Sequence, residues 1–405
     1  MRTKNQPRSI RPGPQKIKPV TLETTPANPS PAPEAPTIDL RNPHRSLSYR
    51  LVRSLKKPRL IELDRLKYAE HLDPAMRQDC EFLLRCVHET ARLNGFGQGV
   101  FEQFVKETLL NNYQIKRRLE HSSFPAIKAP IFILGMPRTG STYLFNLLGA
   151  TGNFRTLRNW ETHKVASKRP VLVKRIQALA QIKFTHHFAP SMRTIHEQRV
   201  EGPEECTKML LGRFVSQMFP ALFHIPAYNE FLETANYLPT YQHFHNQLQI
   251  LGDHGKQWLL KSPLHTQSID SILKVFPDAR FIHLQRNFSE VLGSICSLSA
   301  AFRCLTSDHL NGQDIGRQVK KYIVRDNARA DAILRTHQNR VLSVRYREFL
   351  NDPVETAASI FRFAGTALTA PLEKKLQHEM YISVPNKFGK HSYCLADYFP
   401  SPTKA

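Results

Sequence analysis

The sequence predicts an α/β fold: a central parallel sheet of the P-loop-like kind, flanked by helices, with an N-terminal helical region and a helical insertion. Between residues 130 and 365, short apolar runs rich in β-branched and aromatic residues alternate with stretches of helical period. Four or five such units favour a parallel sheet that is covered on both faces. The chain has 405 residues, of which 41% are hydrophobic, so it is long and apolar enough to bury that sheet.

The first unit consists of a strand, a tight loop and a helix. Residues 131–134 form an apolar run that predicts a buried strand, and a loop of sequence Gly-Met-Pro-Arg-Thr-Gly follows it. The pattern becomes helical at Ser141, and Gly149 and Gly152 mark its end. Backbone N–H groups and the positive end of a helix dipole then meet at the loop, which is a site for a phosphate or another anion.

The spacing of this loop almost matches the nucleotide-binding motif G-x-x-x-x-G-K-[ST]. Gly135 and Gly140 occupy the glycine positions, but Ser141 stands where the motif requires Lys. A P-loop phosphotransferase needs that Lys and a bound Mg²⁺. The only cation in the loop itself is Arg138. A nucleotide-dependent phosphotransferase is therefore an alternative that the motif disfavours.

The later units place polar residues at predicted strand ends. One apolar run ends in Lys261, the next ends in Arg286, and a third runs from Val341 to Tyr346. Asp352 followed by Pro353 predicts the start of another helix, because these residues are favoured at the cap and the first helical position. These units continue the alternation of strand and helix that predicts the parallel sheet.

Composition limits the function classes. The formal net charge of +23 favours anionic partners, so a basic anion-binding or nucleic-acid-binding protein is a second alternative. We expect no specific nucleic acid, since the basic N-terminal segment has no aromatic residue for base stacking. The six cysteines contain no C-x-x-C pair, so we predict neither a zinc site nor a disulfide framework. No apolar run has the length of a transmembrane segment, and we expect a cytoplasmic protein.

The chain divides into three predicted regions. Residues 1–45 contain ten prolines and few large apolar residues, which predicts a disordered basic tail. Residues 46–125 form a helical region, in which Asp73 and Pro74 begin one helix and a second starts near Val100. Residues 126–405 form the catalytic domain, with a helical cap on its acceptor side at residues 162–255.

The loop resembles the 5′-phosphosulfate-binding loop of sulfotransferases that use 3′-phosphoadenosine 5′-phosphosulfate (PAPS). The family motif Pro-[Lys/Arg]-[Ser/Thr]-Gly-[Thr/Ser]-Thr is matched throughout, and the resemblance is to a bacterial group with an Arg in the loop. The runs Trp-Leu-Leu-Lys-Ser-Pro-x-His and Gly-Lys-His-Ser-Tyr are similar to the same group. The matching loop residues are Pro137, Arg138, Thr139, Gly140, Ser141 and Thr142.

The resemblance implies further nucleotide-binding residues. In the family, a strand-end Arg and a Ser eight residues later hold the 3′-phosphate, and Arg286 and Ser294 have that spacing. Tyr346 corresponds to a Tyr that contacts the adenine, and Lys390 is a weaker candidate for the 3′-phosphate. The implied reaction moves a sulfuryl group from PAPS, without a metal, to a hydroxyl or less readily an amine. The acceptor would be a small molecule or a glycan, and adenosine 3′,5′-bisphosphate would be released.

Two residues are candidates for the catalytic base. Glu161 follows a predicted short strand at residues 154–157, and related sulfotransferases place a Trp-Glu pair or a Glu at about this distance. His196 lies in a His-Glu pair that also recurs in the bacterial group. A structural role is the alternative for both, a salt bridge to a nearby Arg in the case of Glu161. Arg138, with the loop amides and hydroxyls, would hold the 5′-phosphosulfate and stabilise charge on the leaving bridging oxygen, acting only through its charge. His243 and His245 lack further ligands, so we predict no metal there.

Overall fold

The computed structural model describes residues 61–188, 198–383 and 393–400. Its centre is a four-stranded sheet in the order β2-β1-β3-β4, and every pair of neighbouring strands is parallel. The predicted α/β fold is confirmed. The strands are β1 (Ile131–Leu134), β2 (Leu259–Lys261), β3 (Arg280–Gln285) and β4 (Val341–Arg345).

Strand β1 lies in the middle of the sheet because its residues are apolar on both faces. All four of its residues are buried, and Ile131 pairs with Leu259 on one side and with Arg280 on the other. Beyond β3, Phe281 pairs with Val341. This register brings the carboxyl ends of β1, β2 and β3 to one edge of the sheet, where the loop that follows β1 also lies.

Two helices precede the sheet. Helix α1 (Pro74–Thr90) begins as predicted, with the Asp73 carboxylate accepting a hydrogen bond of 2.8 Å from a first-turn N–H. Helix α2 (Gly95–Glu120) begins five residues earlier than the predicted start near Val100, because Asn94 caps it in the same way at 2.8 Å. Side chains of both helices share a hydrophobic cluster with the sheet. The predicted division into regions stays a prediction.

The remaining helices connect and cover the strands. In the described ranges, one helix follows β1 directly and five more precede β2. One helix follows β2, two follow β3 and three follow β4. In order they are α3 (Ser141–Thr151), α4 (Val171–Phe188), α5 (Thr207–Leu210), α6 (Met218–Leu222), α7 (Pro226–Thr234), α8 (Leu238–Leu251), α9 (Ile269–Val275), α10 (Phe288–Thr306), α11 (Gly312–Thr336), α12 (Tyr346–Asn351), α13 (Pro353–Phe363) and α14 (Ala370–Ile382).

The predicted short strand at residues 154–157 is reduced to a single parallel bridge between Arg155 and Trp258. The chain then turns into a 3₁₀ helix, Asn159–Glu161. Glu161 caps that turn, since its carboxylate accepts a hydrogen bond of 2.8 Å from the backbone of Arg158. The turn takes the chain away from the sheet and fixes the position of Glu161.

Helix α10 carries the predicted site residue Ser294. Within the described ranges it is the one helix whose length and composition would allow it to cross a membrane. Ten of its residues are buried, and it packs against α11. At Gly293 an added Cβ would lie 2.2 Å from the ring of Tyr393, so the segment 393–400 packs directly on this helix. Its apolar character thus serves the core.

Candidate active site

The loop after β1 has a backbone that only certain residues adopt easily. Gly140 has φ +80°, and a Cβ there would lie 2.8 Å from the ring of Tyr346. Gly135 has φ +139°, and its Cβ would lie 2.7 Å from the carbonyl oxygen of Leu284. Arg138 also takes a left-handed conformation, with φ +70°. Strain of this kind is tolerated where the surroundings fix the backbone, often at functional sites.

The structure brings together four predicted nucleotide-binding residues from four separate parts of the chain. The Nε atom of Arg138 donates a hydrogen bond of 3.1 Å to Ser294 Oγ. The Nη1 atom of Arg286 donates to the carbonyl oxygen of Arg138 at 2.9 Å. The guanidinium of Arg286 lies 4.1 Å from the centroid of the Tyr346 ring. The spacing of Arg286 and Ser294 therefore places both beside the loop.

Two positive charges meet at this point. Burial, and then the neighbouring charge of Arg286, lower the pKa of Arg138. Glu290 accepts a hydrogen bond of 3.1 Å from Arg286 and also contacts Arg347, so its charge is shared. Like charges repel in a partly buried site, and a bound anion would offset that repulsion. The cluster therefore has the electrostatics of a phosphate site.

The hydroxyl residues of the loop have different environments. Thr139 is fully buried, and its hydroxyl donates to the Met136 carbonyl oxygen at 2.9 Å. Ser141, the first residue of α3, is buried at the start of the helix. Thr142 accepts a hydrogen bond of 2.9 Å from Lys261 Nζ. Thr139 thus holds the loop closed, whereas Thr142 faces a cation.

Glu205 was not selected from the sequence, and Lys261 was recognised there only as the end of a predicted strand. Lys261 is the last residue of β2, and its ammonium group contacts the Glu205 carboxylate as well as Thr142. Thr207 donates to the other oxygen of Glu205 at 3.1 Å and lies 2.9 Å from Ser262 Oγ. The position of Lys261 at a strand end was the available signal, since β2 and β1 are neighbours. A lysine from β2 therefore reaches the loop that lacks its own.

Glu161 has a different setting from the one expected of a free base. Its two carboxylate oxygens accept hydrogen bonds of 2.9 and 2.8 Å from the Arg155 guanidinium, and the residue is only 7% exposed. Arg155 also stacks on Trp258, 4.6 Å from the ring centroid. This is the salt-bridge alternative raised for Glu161. Its catalytic role stays a prediction, and a structural role as the partner of Arg155 is the alternative.

The second candidate base, His196, and the weaker phosphate ligand, Lys390, both lie outside the described residues. In the sequence, the described residues resume at Tyr393, whose ring packs on Gly293, one residue from Ser294. The described part of the C-terminal segment therefore reaches the helix that carries the predicted 3′-phosphate ligand.

A cavity of about 740 Å³ lies beside the second half of α3, away from the loop. No residue from 135 to 142 lines it, whereas Gly149, Arg155, Trp160 and Glu161 do. Ser141 and Gly149 are separated by roughly 12 Å along the helix axis. The cavity and the anion site are therefore distinct places on the same helix.

Among the described residues, the group of side chains that could bind a metal ion lies away from the loop. His243 is buried against Gly212, and burial lowers its pKa to about 4. One group of potential ligands, His224, His309 and Asp314, has its atoms within 4.8 Å of one another. This group lies at the far end of α10 from Ser294, so it has no place in the site described above.

Comparison with known proteins decides the family. Residues 130–370 match the model of the sulfotransferase family, and this range contains β1, the loop, Arg286 and Ser294. The chain belongs to the sulfotransferase family. The family resemblance seen in the loop is confirmed at this level.

Individual relatives agree with that assignment. The chain is 24% identical, over 250 residues, to omega-hydroxy-beta-dihydromenaquinone-9 sulfotransferase Stf3 from Mycobacterium bovis and from Mycobacterium tuberculosis. The match covers 58% of this chain and 62% of those relatives, so it spans less than two thirds of their length.

Solved structures show the same fold. Sulfotransferase STF1 from Mycobacterium tuberculosis is similar with a TM-score of 0.69 and 27% identity, over 84% of this chain and 95% of that one. Sulfotransferase STF9 from Mycobacterium avium superposes with a TM-score of 0.70 over 87% of this chain and 91% of that one. At 22% identity, the second similarity concerns the fold alone.

Proposed function

We propose that this sulfotransferase uses PAPS as its sulfuryl donor and a hydroxyl as its acceptor, an amine being the less favoured alternative. The observation that carries the proposal is the meeting of Arg138, Arg286 and Ser294 beside a glycine-bounded loop. A nucleotide with phosphate on both the 3′ and 5′ positions needs two such anion sites. An ATP-dependent phosphotransferase does not need a site for a 3′-phosphate, because ATP has none.

The two ends of the nucleotide would occupy different parts of the site. Arg286 and Ser294 would hold the 3′-phosphate through charge-assisted hydrogen bonds. Tyr346, stacked under Arg286, would contact the adenine. The backbone of residues 138–142 at the start of α3 would bind the 5′-phosphosulfate. Lys390 remains a proposed additional ligand of the 3′-phosphate.

Lys261 would supply the lysine charge that the nucleotide-binding motif contains and that this loop lacks. Since Arg138 hydrogen-bonds Ser294 and Lys261 reaches Thr142, we assign Arg138 toward the 3′ side of the loop and Lys261 toward the 5′ side. Lys261 would stabilise the negative charge that develops on the leaving phosphate oxygen. Unlike Arg138, an ammonium group at this position could also donate a proton.

The acceptor hydroxyl needs a base, and three residues compete for that role. Glu205 touches the same Lys261 that reaches the loop, which puts a carboxylate next to the predicted 5′-phosphosulfate. Glu161 and His196 remain candidates. In the reaction, the acceptor oxygen forms a bond to sulfur while the bond from sulfur to the phosphate oxygen breaks. The hydroxyl proton passes to the base, and adenosine 3′,5′-bisphosphate leaves.

We expect this transfer to proceed without a metal. A sulfuryl group carries less negative charge than a phosphoryl group, so positioning and fixed donors can stabilise its transfer. The acceptor is proposed to be a small molecule or a glycan, and the protein to act in the cytoplasm. The relatives named for a hydroxylated menaquinone derivative support the hydroxyl as acceptor group.

Ligand-dependent unfolding tests the donor. Thermal unfolding of the full chain would be compared with adenosine 3′,5′-bisphosphate, with ATP and Mg²⁺, and without ligand. A ligand at 100 times its Kd adds about 2.7 kcal/mol of stability. We expect the bisphosphate to stabilise and the Arg286→Ala variant to lose most of that shift. If ATP with Mg²⁺ stabilises the protein and the bisphosphate does not, the proposal is contradicted and a phosphotransferase is favoured.

A matched variant separates the anion site from general charge. Arg345→Ala removes a guanidinium next to the same region, but that side chain is exposed and pairs with Glu348. It should retain the full bisphosphate shift. Equal losses in the Arg286 and Arg345 variants would mean that the bisphosphate binds through net charge only.

A further inference from the structure

Helix α4 presents apolar side chains to the outside of the protein. Leu172, Ile176 and Leu179 recur at helical spacing and are 66%, 58% and 44% exposed. A helix at a protein surface normally turns polar residues outward. Among the described residues, six exposed large apolar side chains lie on α4, and no other element contributes more than one. They are Val171, Leu172, Val173, Ile176, Leu179 and Phe184.

This helix is fixed to the protein by its other side. Ala178 and Ile182 are buried, and the helix packs on the 3₁₀ turn that contains Glu161. Arg175 pairs with Glu201 at 2.6 Å and lies 5.7 Å from the centroid of the Trp160 ring. The outward stripe therefore belongs to a helix that is anchored in the fold.

The surroundings of the stripe are strongly basic. From residue 162 to residue 188 the sequence contains six Lys or Arg and no Asp or Glu. Lys168, Arg169 and Lys183 are exposed, and no carboxylate of the described ranges forms a salt bridge with any of them. Lys183 continues the line of Leu172, Ile176 and Leu179 by one further turn. An apolar stripe is thus bordered by cations at both ends.

We propose that α4 docks onto the surface of an anionic lipid bilayer, with its apolar stripe inserted among the acyl chains near the headgroups. Surface helices that combine an outward apolar stripe with Lys and Arg at its borders lie in the plane of the interface. Each Lys or Arg near an anionic surface contributes to the attraction, while the apolar side chains leave water. The proposal concerns a surface separate from the loop, so it does not depend on the donor being PAPS.

The charge argues against a second copy of this chain as the occupant. Two α4 helices that paired through their apolar stripes would bring their exposed cations together without described carboxylates between them. Like charges that face each other across an interface are unfavourable. An anionic bilayer satisfies both the apolar stripe and its cationic borders.

Vesicle sedimentation with the full chain tests this docking. One set of vesicles contains phosphatidylcholine alone and is neutral. The other contains phosphatidylcholine with about 30 mol% phosphatidylglycerol and has an anionic surface. We expect binding to the anionic vesicles, weakened by 0.5 M salt, because screening shortens electrostatic reach to roughly 4 Å. Ile176→Asp should weaken binding about tenfold or more, and each of Lys168→Gln and Lys183→Gln about fivefold.

Two control variants and one parallel measurement make the result decisive. Val324→Asp changes an exposed apolar residue of α11, and Lys374→Gln an exposed lysine of α14, so both should bind vesicles as the unchanged protein does. Unfolding temperatures would verify that Ile176→Asp is folded. Equal binding to neutral vesicles, or losses as large in the controls, would overturn the proposal. Concentration-dependent self-association that Ile176→Asp abolishes, without any vesicle binding, would also overturn it.

Discussion

Two charged clusters near the two ends of helix α3 differ in how their charges are compensated. At one, Arg155 and Glu161 form a bidentate pair with oxygens and nitrogens matched inside the protein. At the other, Arg138 and Arg286 lie together, Glu290 pairs with Arg286, and burial with the charge of Arg286 lowers the pKa of Arg138. Both contain residues that a motif search selects. In the first cluster each charge has its partner inside the protein, whereas the second is the proposed anion site and would be stabilised by a bound anion.

This difference indicates which carboxylate can take a proton. A carboxylate held by both oxygens in a buried pair is costly to change, because its partner would be left as an uncompensated charge. Glu205 is also paired, but its partner Lys261 reaches the loop where a substrate anion would bind. Binding of that anion gives Lys261 a second negative partner. The Glu205 pair can therefore respond to substrate, and the Glu161 pair has no such connection among the described contacts.

Glu205→Gln should have the largest effect on catalysis. Loss of one general base lowers turnover on the order of 10² to 10⁴-fold, while bisphosphate binding, measured by thermal shift, should change little. The matched variant Glu161→Gln should keep most of its turnover. If Glu161→Gln instead loses turnover with folding and bisphosphate binding intact, Glu161 is the base and the comparison above is wrong.

Glu161→Ala should have the largest effect on stability. Removing one partner of a buried ion pair costs about 3 to 5 kcal/mol, since Arg155 keeps its charge in a site away from water. Denaturant unfolding would measure the loss. Glu201→Ala removes a half-exposed carboxylate that pairs with Arg158 and Arg175, and each of these exposed pairs should contribute at most about 1 kcal/mol. Similar losses in both variants would show that the Arg155 pair has no special weight.

Arg286→Ala should affect the donor more than the chemical step. A charge-assisted hydrogen bond contributes roughly 1.5 to 3 kcal/mol, which raises the KM for PAPS by about one to two orders of magnitude. The proposed 3′-phosphate site is remote from sulfur, so kcat at saturating PAPS should fall less. An unchanged KM would remove Arg286 from the donor site.

A smaller effect concerns pH and the side of the molecule that holds Glu161. Burial, and then nearby Lys208, lower the pKa of His163 to about 4, below its usual value of 6.5. The unfolded chain therefore takes up this proton first as the pH falls. The resulting stability is complete above pH 6.5 and decreases toward pH 4, by at most about 1.4 kcal/mol per pH unit.

Unfolding of His163→Gln across this range checks that contribution. Its stability should fall less steeply between pH 6.5 and pH 4 than that of the unchanged protein, which also contains other buried histidines. His378→Gln changes an exposed histidine on α14 and should keep the original slope. A slope unaffected by His163→Gln would mean that this ring is not held neutral by the fold.

Local signals predicted the frame of the site well. The apolar run at β1, the glycines of the loop and the start of α3 were all predicted, since each depends on neighbouring residues. The α2 start was misplaced because Asn94 supplies a cap that lies outside the apolar pattern. Arg286 and Ser294 were identified through the family resemblance, and their spacing across one strand end and the next helix fixes their distance.

Contacts between distant segments of the chain could not be predicted from the sequence. Nothing near Glu161 distinguishes a catalytic carboxylate from one paired to Arg155 six residues earlier. The pair of Lys261 with Glu205 depends on β2 lying beside β1, although some 120 residues separate the two strands. Strand order is a property of the whole sheet, so the lysine that reaches the loop was predicted only as a strand end.

The origin of the site residues in different strands has a consequence for folding. The loop follows β1, Lys261 ends β2, Arg286 follows β3 and Tyr346 follows β4. Pairing of such distant segments is slow, because the loops between them must close before contacts repay the lost entropy. A partly folded chain that has formed only β1 and α3 possesses the glycine loop but none of these three partners. Nucleotide affinity should therefore arise late in folding, and ligand binding during refolding would report completion of the sheet.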